Sequence, residues 1–531
     1  MADDTPLLSD HQPPPTAAPG EKPLRTMDSM IELCIGEFGR AQFAQAALVS
    51  LSWFFDAQQT FISVFTDSEP LWHCTDPARC TPGAADLCGI PDGSWSWDEN
   101  TVGRHTSVVS EWGLQCATPF IRGLPASSFF AGCLLGGLIL ATLADSSLGR
   151  RNLLFHTCFG MAITSLLTAF STSIWAYAAL RFMCGFGRAA IGTCALVLST
   201  ELVGRRWRGP VGMVGFILFS LGFLSLPAIA YANRGGSWRV LYLWTSVPTL
   251  FYCVLVYFFV YESPRWLFVK GRKEEAIQTL KSIAPPEKHS RLTSSFFSSA
   301  PFLGNDFDPS AADVDIFSAM KLLLARRWAL LRLSAVMVVS FGTGMVYYGM
   351  PLGLANLSFN LYLGVASNAL SEIPSALAAL LFIAKLSRRL SLLAMTTVSA
   401  VFSALCILRG EPWGRLQMWF ELVSFFGGCT ALNMLLIYTL ELFPTCVRNS
   451  AVSMVRQALV LGGAFSPFLV AAGRTSGGAL SYGVFGAVIG CCGLFVVCLP
   501  ETRGGTISDT MEEEELKMMG RSRMSGVATL A

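Results

Sequence analysis

Twelve stretches of about 20 mostly apolar residues recur along the chain, each long enough to cross a bilayer as a helix. The first runs from about Ala41 to Phe65. The others fall near 120–144, 153–171, 176–201, 210–231, 239–261, 330–350, 359–384, 390–408, 416–440, 449–471 and 479–499. Only 14% of the 531 residues are charged and 52% are hydrophobic, against roughly 25% charged in a soluble protein. So few charges could not cover the surface of a water-soluble chain of this length. A net charge of +2 also lacks the basic field of a nucleic-acid binder. The pattern predicts an all-α polytopic membrane protein with both termini on one side of the bilayer.

Lys and Arg in the short loops set the orientation. Arg150 and Arg151, then Arg205, Arg206 and Arg208, then Lys385, Arg388 and Arg389 all fall on one face, which is read as cytosolic. The loop 66–118 falls on the opposite face and is acidic. Of the 16 cysteines, only Cys74, Cys80, Cys88 and Cys116 lie in that loop. Four cysteines clustered in a non-cytosolic loop suggest two disulfides of open pairing. A zinc site is the rival reading, but His73 and His105 are isolated and no metal is expected. The remaining divisions are a cytosolic tail over 1–40, a first group of six helices over 41–261, a cytosolic linker over 262–328, a second group of six over 329–500 and a tail over 501–531. Short surface helices are expected at the start of the linker.

Three features repeat at an offset of about 240 residues, which implies two six-helix halves related by an axis along the membrane normal. Arg150-Arg151 is echoed by Arg388-Arg389, Glu201 and Arg208 by Glu441 and Arg448, and Glu262 by Glu501. In such a plan substrate binds midway between the halves and access alternates by rocking. Opposite charges at the cytosolic helix ends would pair across the halves when that mouth closes. Plain interfacial anchoring is the competing account of the arginines.

Several motifs sharpen this: "ADSSLGRRN" after the second span, "RFMCGFG" in the fourth, "STELVGRRWRG" after it, "ESPRWLFVKGRKEEA" after the sixth, "YTLELFPTCVRN" after the tenth and "LPETRGGTISDTMEEEE" after the twelfth. With these the chain resembles the major facilitator superfamily, specifically its organic-ion branch, and within that the plant organic cation/carnitine transporters. The resemblance implies twelve helices, alternating access without a cofactor, and a gating role that extends to Asp145 and Arg265. Two departures stand out. Asp145 to Gly149 is one residue longer than the family's loop, and Ala384-Lys385 replaces the usual acid after the eighth span. The family's first loop is commonly glycosylated, yet Asn100 is followed by Thr-Val; the sequon is Asn356-Leu-Ser, in a short outer turn.

Ionisable residues deep in a span are functional candidates. Asp56 in the first span and Glu372 in the eighth fall near mid-membrane, one in each half. A quaternary or protonated amine needs a carboxylate to offset its charge and aromatic faces to replace its hydration. Tyr347 and Tyr348 are in the adjoining span, and Trp53, Phe54 and Phe55 lie beside Asp56. Arg181, Arg188 and Arg456 are the buried cations. Arg181 matches the superfamily's fourth-span arginine. Val460 stands where the animal branch carries a charge that separates anion from cation carriers, and Arg456, one turn earlier, could hold a substrate carboxylate. Gly187, Gly192 and Thr193 in "GRAAIGT" superficially resemble a phosphate-binding loop, but the Lys is missing and no strand precedes it, so close helix packing explains them better.

The expected function is secondary transport of organic cations or carnitine-like zwitterions, with coupling to a proton or a sodium ion left open. A sugar or phosphate porter, or a transport-inactive receptor on the same fold, are the alternatives; no enzyme is expected. The segment "DDTPLL", Asp3 to Leu8, fits an acidic dileucine signal for the vacuolar membrane, while the plasma membrane is equally compatible with disulfides.

Overall fold

The structure, a computed structural model, describes most of residues 38–528. Residues 1–37 and 529–531, the segments 77–79, 81–86, 98–105, 144–147, 285–315, 409–412 and 504–507, and several single positions lie outside the described residues. Asp145, Asn100 and the dileucine stretch therefore fall outside them.

The apolar runs become long helices because lipid offers no partner to a free peptide group. After the first span these are α4 (Pro119–Leu143), α5 (Arg150–Thr168), α6 (Ile174–Arg188) continued by α7 (Ile191–Glu201), α8 (Arg208–Ala232) and α9 (Trp238–Phe259). The second half comprises α13 (Arg327–Gly353), α14 (Leu361–Lys385), α15 (Arg388–Leu405), α16 (Trp413–Leu442), α17 (Thr445–Ala472) and α18 (Ala479–Leu494). Among the described residues nine helices are long and apolar enough to cross a membrane on length and composition alone. The other three positions are helical but more polar. They are α5, α15 and the first span, which is divided into α1 (Arg40–Ser50), α2 (Ser52–Phe61) and α3 (Ser63–Thr66). The polar run Gln58-Gln59-Thr60 in α2 is buried, so it faces protein rather than lipid.

Helix starts follow the sequence locally. Ser173, Ser237, Ser263, Asn360 and Ser387 each accept a backbone N–H from the first turn they precede, which satisfies an otherwise orphaned donor. Small residues then set the closest approaches. A Cβ on Gly185 would sit 1.9 Å from the carbonyl of Phe129, and one on Gly344 would sit 2.0 Å from that of Leu459. Each pins two helices of one half together, α4 with α6 and α13 with α17.

Loop 66–118 carries two disulfides, Cys74–Cys80 and Cys88–Cys116, and a two-stranded antiparallel sheet pairing Trp72–Cys74 with Trp95–Trp97. After α9 come two short helices, α10 (Pro264–Val269) and α11 (Lys273–Ile283), and α12 (Ile316–Ala325) precedes the second half. The chain ends in α19 (Met511–Ala528). Glu514 of α19 accepts from Arg332 at 2.8 Å, and Glu515 accepts from Trp328 at 3.0 Å. The tail is thus tied to the second half.

Candidate functional site

Three levels of contact join the halves or hold their ends. At the disulfide-bearing end, Glu69 receives Arg122 of its own half at 3.0 Å and Arg474 of the other half. The Gln115 carbonyl, beside the Cys88–Cys116 bridge, accepts from Arg474 at 2.7 Å. Phe120 stacks on Phe468 with ring centroids 5.4 Å apart. Burial pushes the Glu69 carboxyl up, and the Arg122 guanidinium opposes that shift. A cavity of 330 Å³ lies beside this clasp, lined among others by Asp67, Glu69, Arg122 and Arg474. It is separate from the mid-membrane acids.

At the opposite end the described ion pairs stay within a half. Arg388 pairs with Glu441 at 3.0 Å, and Glu441 also accepts from Thr502 at 2.6 Å. In this structure two of the repeated acids bind backbone of their own half. Glu262 accepts the backbone N–H groups of Arg150 and Arg151 at 3.1 Å. Glu501 accepts those of Arg388 and Arg389 at 3.0 and 3.2 Å. Each caps the positive end of a helix from a distance in sequence. Gly149 precedes α5 with φ +83°, and a Cβ there would meet Glu262 Oε2 at 2.3 Å. Burial holds Glu262 above the ordinary carboxylate range despite its N–H partners. Burial also acts on Glu501, but its backbone N–H donors, Arg503, Arg388, Arg389 and Thr502, outweigh it and hold the carboxyl low. Glu201 keeps a buried Oε2 with no partner, and Arg448 donates to the Phe443 carbonyl at 3.3 Å. Arg208 and Arg265 are half-buried.

Between these ends lie the two acids. Asp56 is buried and bound by Arg188 through Nε to Oδ1 and through Nη2 to Oδ2. A buried carboxylate gripped by a guanidinium is already neutralised. Asp56, a substrate-binding candidate from the sequence, is thus already paired with Arg188 in this structure. Glu372 differs: it accepts only from hydroxyls, Ser220 of α8 at 2.7 Å and Tyr347 of α13 at 2.8 Å. The Ser220 contact crosses between halves. No described ion pair reaches Glu372.

An aromatic cluster extends from Tyr347, the ring that touches Glu372. Tyr347 stacks on Phe425 at 5.9 Å and stands edge-on to Phe61 at 6.0 Å. Phe61 stacks on Phe223 at 3.9 Å. Tyr348 lies 4.7 Å from Phe130. These rings come from five helices, so sequence proximity could not have assembled them. Trp53 instead packs on Phe216 and Phe219.

The cations separate by role. Arg181 is buried within the first half, where it donates to the Gln59 carbonyl at 3.1 Å and to Ser63 at 3.2 Å and lies 4.3 Å above Phe129. Arg456 reaches across the halves to Thr193 at 3.2 Å, with half-buried Val460 one turn on. Gly187 and Gly192 serve contact. A Cβ on the first would meet the Met161 amide at 2.9 Å, and one on the second would meet the Trp53 ring at 3.2 Å. Asn356 Nδ2, the atom a glycan would need, instead donates to the Val470 carbonyl at 2.9 Å.

Two residues were missed. Glu421 in α16 is buried and accepts from Asn368 of α14 at 2.9 Å. It lies five residues into the predicted span 416–440, close to an expected edge, but α16 begins earlier, at Trp413. Glu69 reads as one more acid of an acidic loop, and its partner Arg474 is 405 residues away.

Twelve helical positions in two sets, with ionisable groups held between them, define a membrane transporter. The sugar (and other) transporter family model matches residues 97–513. Organic cation/carnitine transporter 3 of Arabidopsis thaliana is 58% identical over 99% of this chain and 100% of its own length. Organic cation/carnitine transporter 2 of the same plant is 58% identical over 97% and 98%, and the human protein of that name is 30% identical over 77% and 72%. A xylose transporter of E. coli in an inward-open conformation shares the fold with TM-score 0.61 at 17% identity, covering 88% of this chain and 98% of its own. The chain belongs to the sugar (and other) transporter family of the major facilitator superfamily, in the group that contains the plant organic cation/carnitine transporters. It is a multi-pass membrane protein and not an enzyme.

Proposed function

We propose that the protein carries organic cations or carnitine-like zwitterions across its membrane by alternating access, with Glu372 as the counter-charge. The observation that carries this reading is a carboxyl between the halves with no basic partner among the described residues, held by Tyr347, on which Phe425 and Phe61 pack. A quaternary amine replaces its hydration shell there with aromatic faces, worth about 0.5 to 2 kcal/mol per ring. It also supplies the positive charge that a buried carboxylate lacks. The names of the Arabidopsis relatives support the same substrate class. Arg456, beside Thr193, is placed to take the carboxylate of a zwitterion.

The end bearing the disulfides faces the cell exterior or a lumen, and both termini face the cytosol, as disulfide chemistry and the arginine-rich turns favour. In that orientation the Glu69–Arg474 clasp closes the outer mouth. The vacuolar membrane is the proposed site, on the dileucine motif Asp3 to Leu8. Microscopy of a tagged protein with Leu7 and Leu8 replaced tests this, since unchanged localisation would remove the motif's role.

Uptake of labelled tetraethylammonium and carnitine into vesicles tests the function. Saturable flux of either is expected. Correct insertion without saturable flux would favour a receptor, and flux of a sugar alone would favour a porter of the other branch.

A further inference from the structure

A second carboxyl in the same half has no basic partner among the described residues either. Glu421 is 1% exposed and sits in α16, where it accepts from Asn368 Nδ2 at 2.9 Å. Asn368 itself is fully buried, and its own Oδ1 has no partner. An orphaned acceptor beside a buried carboxyl is costly twice over, since two oxygens with lone pairs share a dry site with one N–H. A single proton relieves both. Protonated Glu421 can donate to Asn368 Oδ1 while still accepting from Nδ2, which closes a two-bond acid–amide pair.

Among the described residues, the groups near this pair supply no basic side chain. Cys429 lies on α16 itself, Cys406 follows α15, Tyr482 belongs to α18 and Glu372 to α14. All are neutral or acidic. A metal cation is a poor occupant, because hard cations such as calcium and magnesium ask for about six oxygen ligands. No metal-ligating group of His, Cys, Asp and Glu is found among the described residues.

The position connects this site to the first. Asn368 and Glu372 are four residues apart on α14 and so share one face. The amide that senses Glu421 is one helical turn from the carboxylate that faces Ser220 and Tyr347.

We propose that Glu421, held through Asn368 to the helical turn that carries Glu372, is the group that binds and releases the proton coupled to transport. The proton enters from water in one mouth to form the Glu421 carboxylic acid, and leaves to water in the other mouth as the carboxylate re-forms. The inference rests on the transporter reading above. It adds a coupling ion and the residue that takes it.

The test uses the full-length protein in liposomes, with two readouts for labelled tetraethylammonium. One is exchange at equal pH on both sides, and the other is accumulation under an imposed gradient of one pH unit. For one coupled proton that gradient supports up to about tenfold accumulation. Wild-type protein is expected to exchange and to accumulate. Glu421→Gln, which cannot lose a proton, is expected to exchange at close to the wild-type rate without accumulating. Gradient-driven accumulation that survives in Glu421→Gln would overturn the assignment. If that variant does not insert, the wild type decides: accumulation that follows a sodium gradient and ignores pH would overturn the proposal. Exchange without any gradient response would overturn the proposal and leave the substrate reading standing, whereas a wild type with no exchange would overturn both.

Discussion

Asp56 and Glu372 are both buried acids in spanning helices, one in each half, yet their surroundings differ in one respect. Asp56 is held by Arg188 from its own half, while Glu372 has two hydroxyls and no guanidinium. The first pair is complete and holds α2 against α6. The second is short of one positive charge. Depth in the membrane marks an acid as costly, but its partner decides whether that cost has been met by the fold or is left for a ligand.

The largest expected effect comes from breaking the complete pair. Asp56→Asn leaves Arg188 buried and uncompensated, a loss of about 3–5 kcal/mol. Thermal unfolding in detergent should show it, and Asp56→Asn combined with Arg188→Gln should recover most of it. Equal stability of the single and double variants would mean that the pair is not what holds these helices. Glu372→Gln, by contrast, keeps one acceptor oxygen and offers an N–H that the other hydroxyl can accept, and should leave the unfolding midpoint near that of the wild type. A large fall would make Glu372 a structural residue like Asp56.

Arg456→Ala sharpens the comparison from the cationic side. KM for carnitine should rise about tenfold, in line with a lost charge-assisted hydrogen bond, and that for tetraethylammonium should be spared. Parallel loss of both would sink the assignment. Tyr347→Phe removes one hydroxyl donor from Glu372 and should raise KM for a cation by severalfold at most, for a bond worth about 1 kcal/mol.

The smallest effect concerns the end caps. Glu501 is held below the ordinary carboxylate range, so its contribution is present above the unfolded value and fades as pH falls through the lowered folded one. Glu262 is held above that range, so its contribution is present at acid pH and weakens as pH rises through its folded value. Glu501→Gln should therefore cost about 0.3–1 kcal/mol at neutral pH and less in acid. Glu262→Gln should cost more in acid than at neutral pH. Unfolding midpoints across pH check both, and the same slope in the two variants would contradict the contrast.

Much of this architecture could be read from the chain. The apolar runs gave the helices because spanning segments must satisfy their own backbone. The offset of Glu262 and Glu501 pointed to equivalent positions, although backbone capping was legible only once Gly149 and the start of α5 were seen beside Glu262. Asp56 and Glu372 were visible as acids in apolar runs. Their difference was not, because it turns on Arg188, 132 residues from Asp56, and Ser220, 152 from Glu372. The aromatic shell was hidden for the same reason. Glu421 had the right signal, an acid inside a span, but the position assigned to the helix start put it too near water.

The most direct test of the account is cation uptake by Glu372→Gln. Uptake of labelled tetraethylammonium is compared with that of a neutral analogue of the same shape, in vesicles with matched amounts of inserted protein. The account predicts that KM for the cation rises by about 10- to 100-fold, the size of a lost charge-assisted contact, and that KM for the neutral analogue stays where it was. Equal changes for the two would contradict it and return Glu372 to packing.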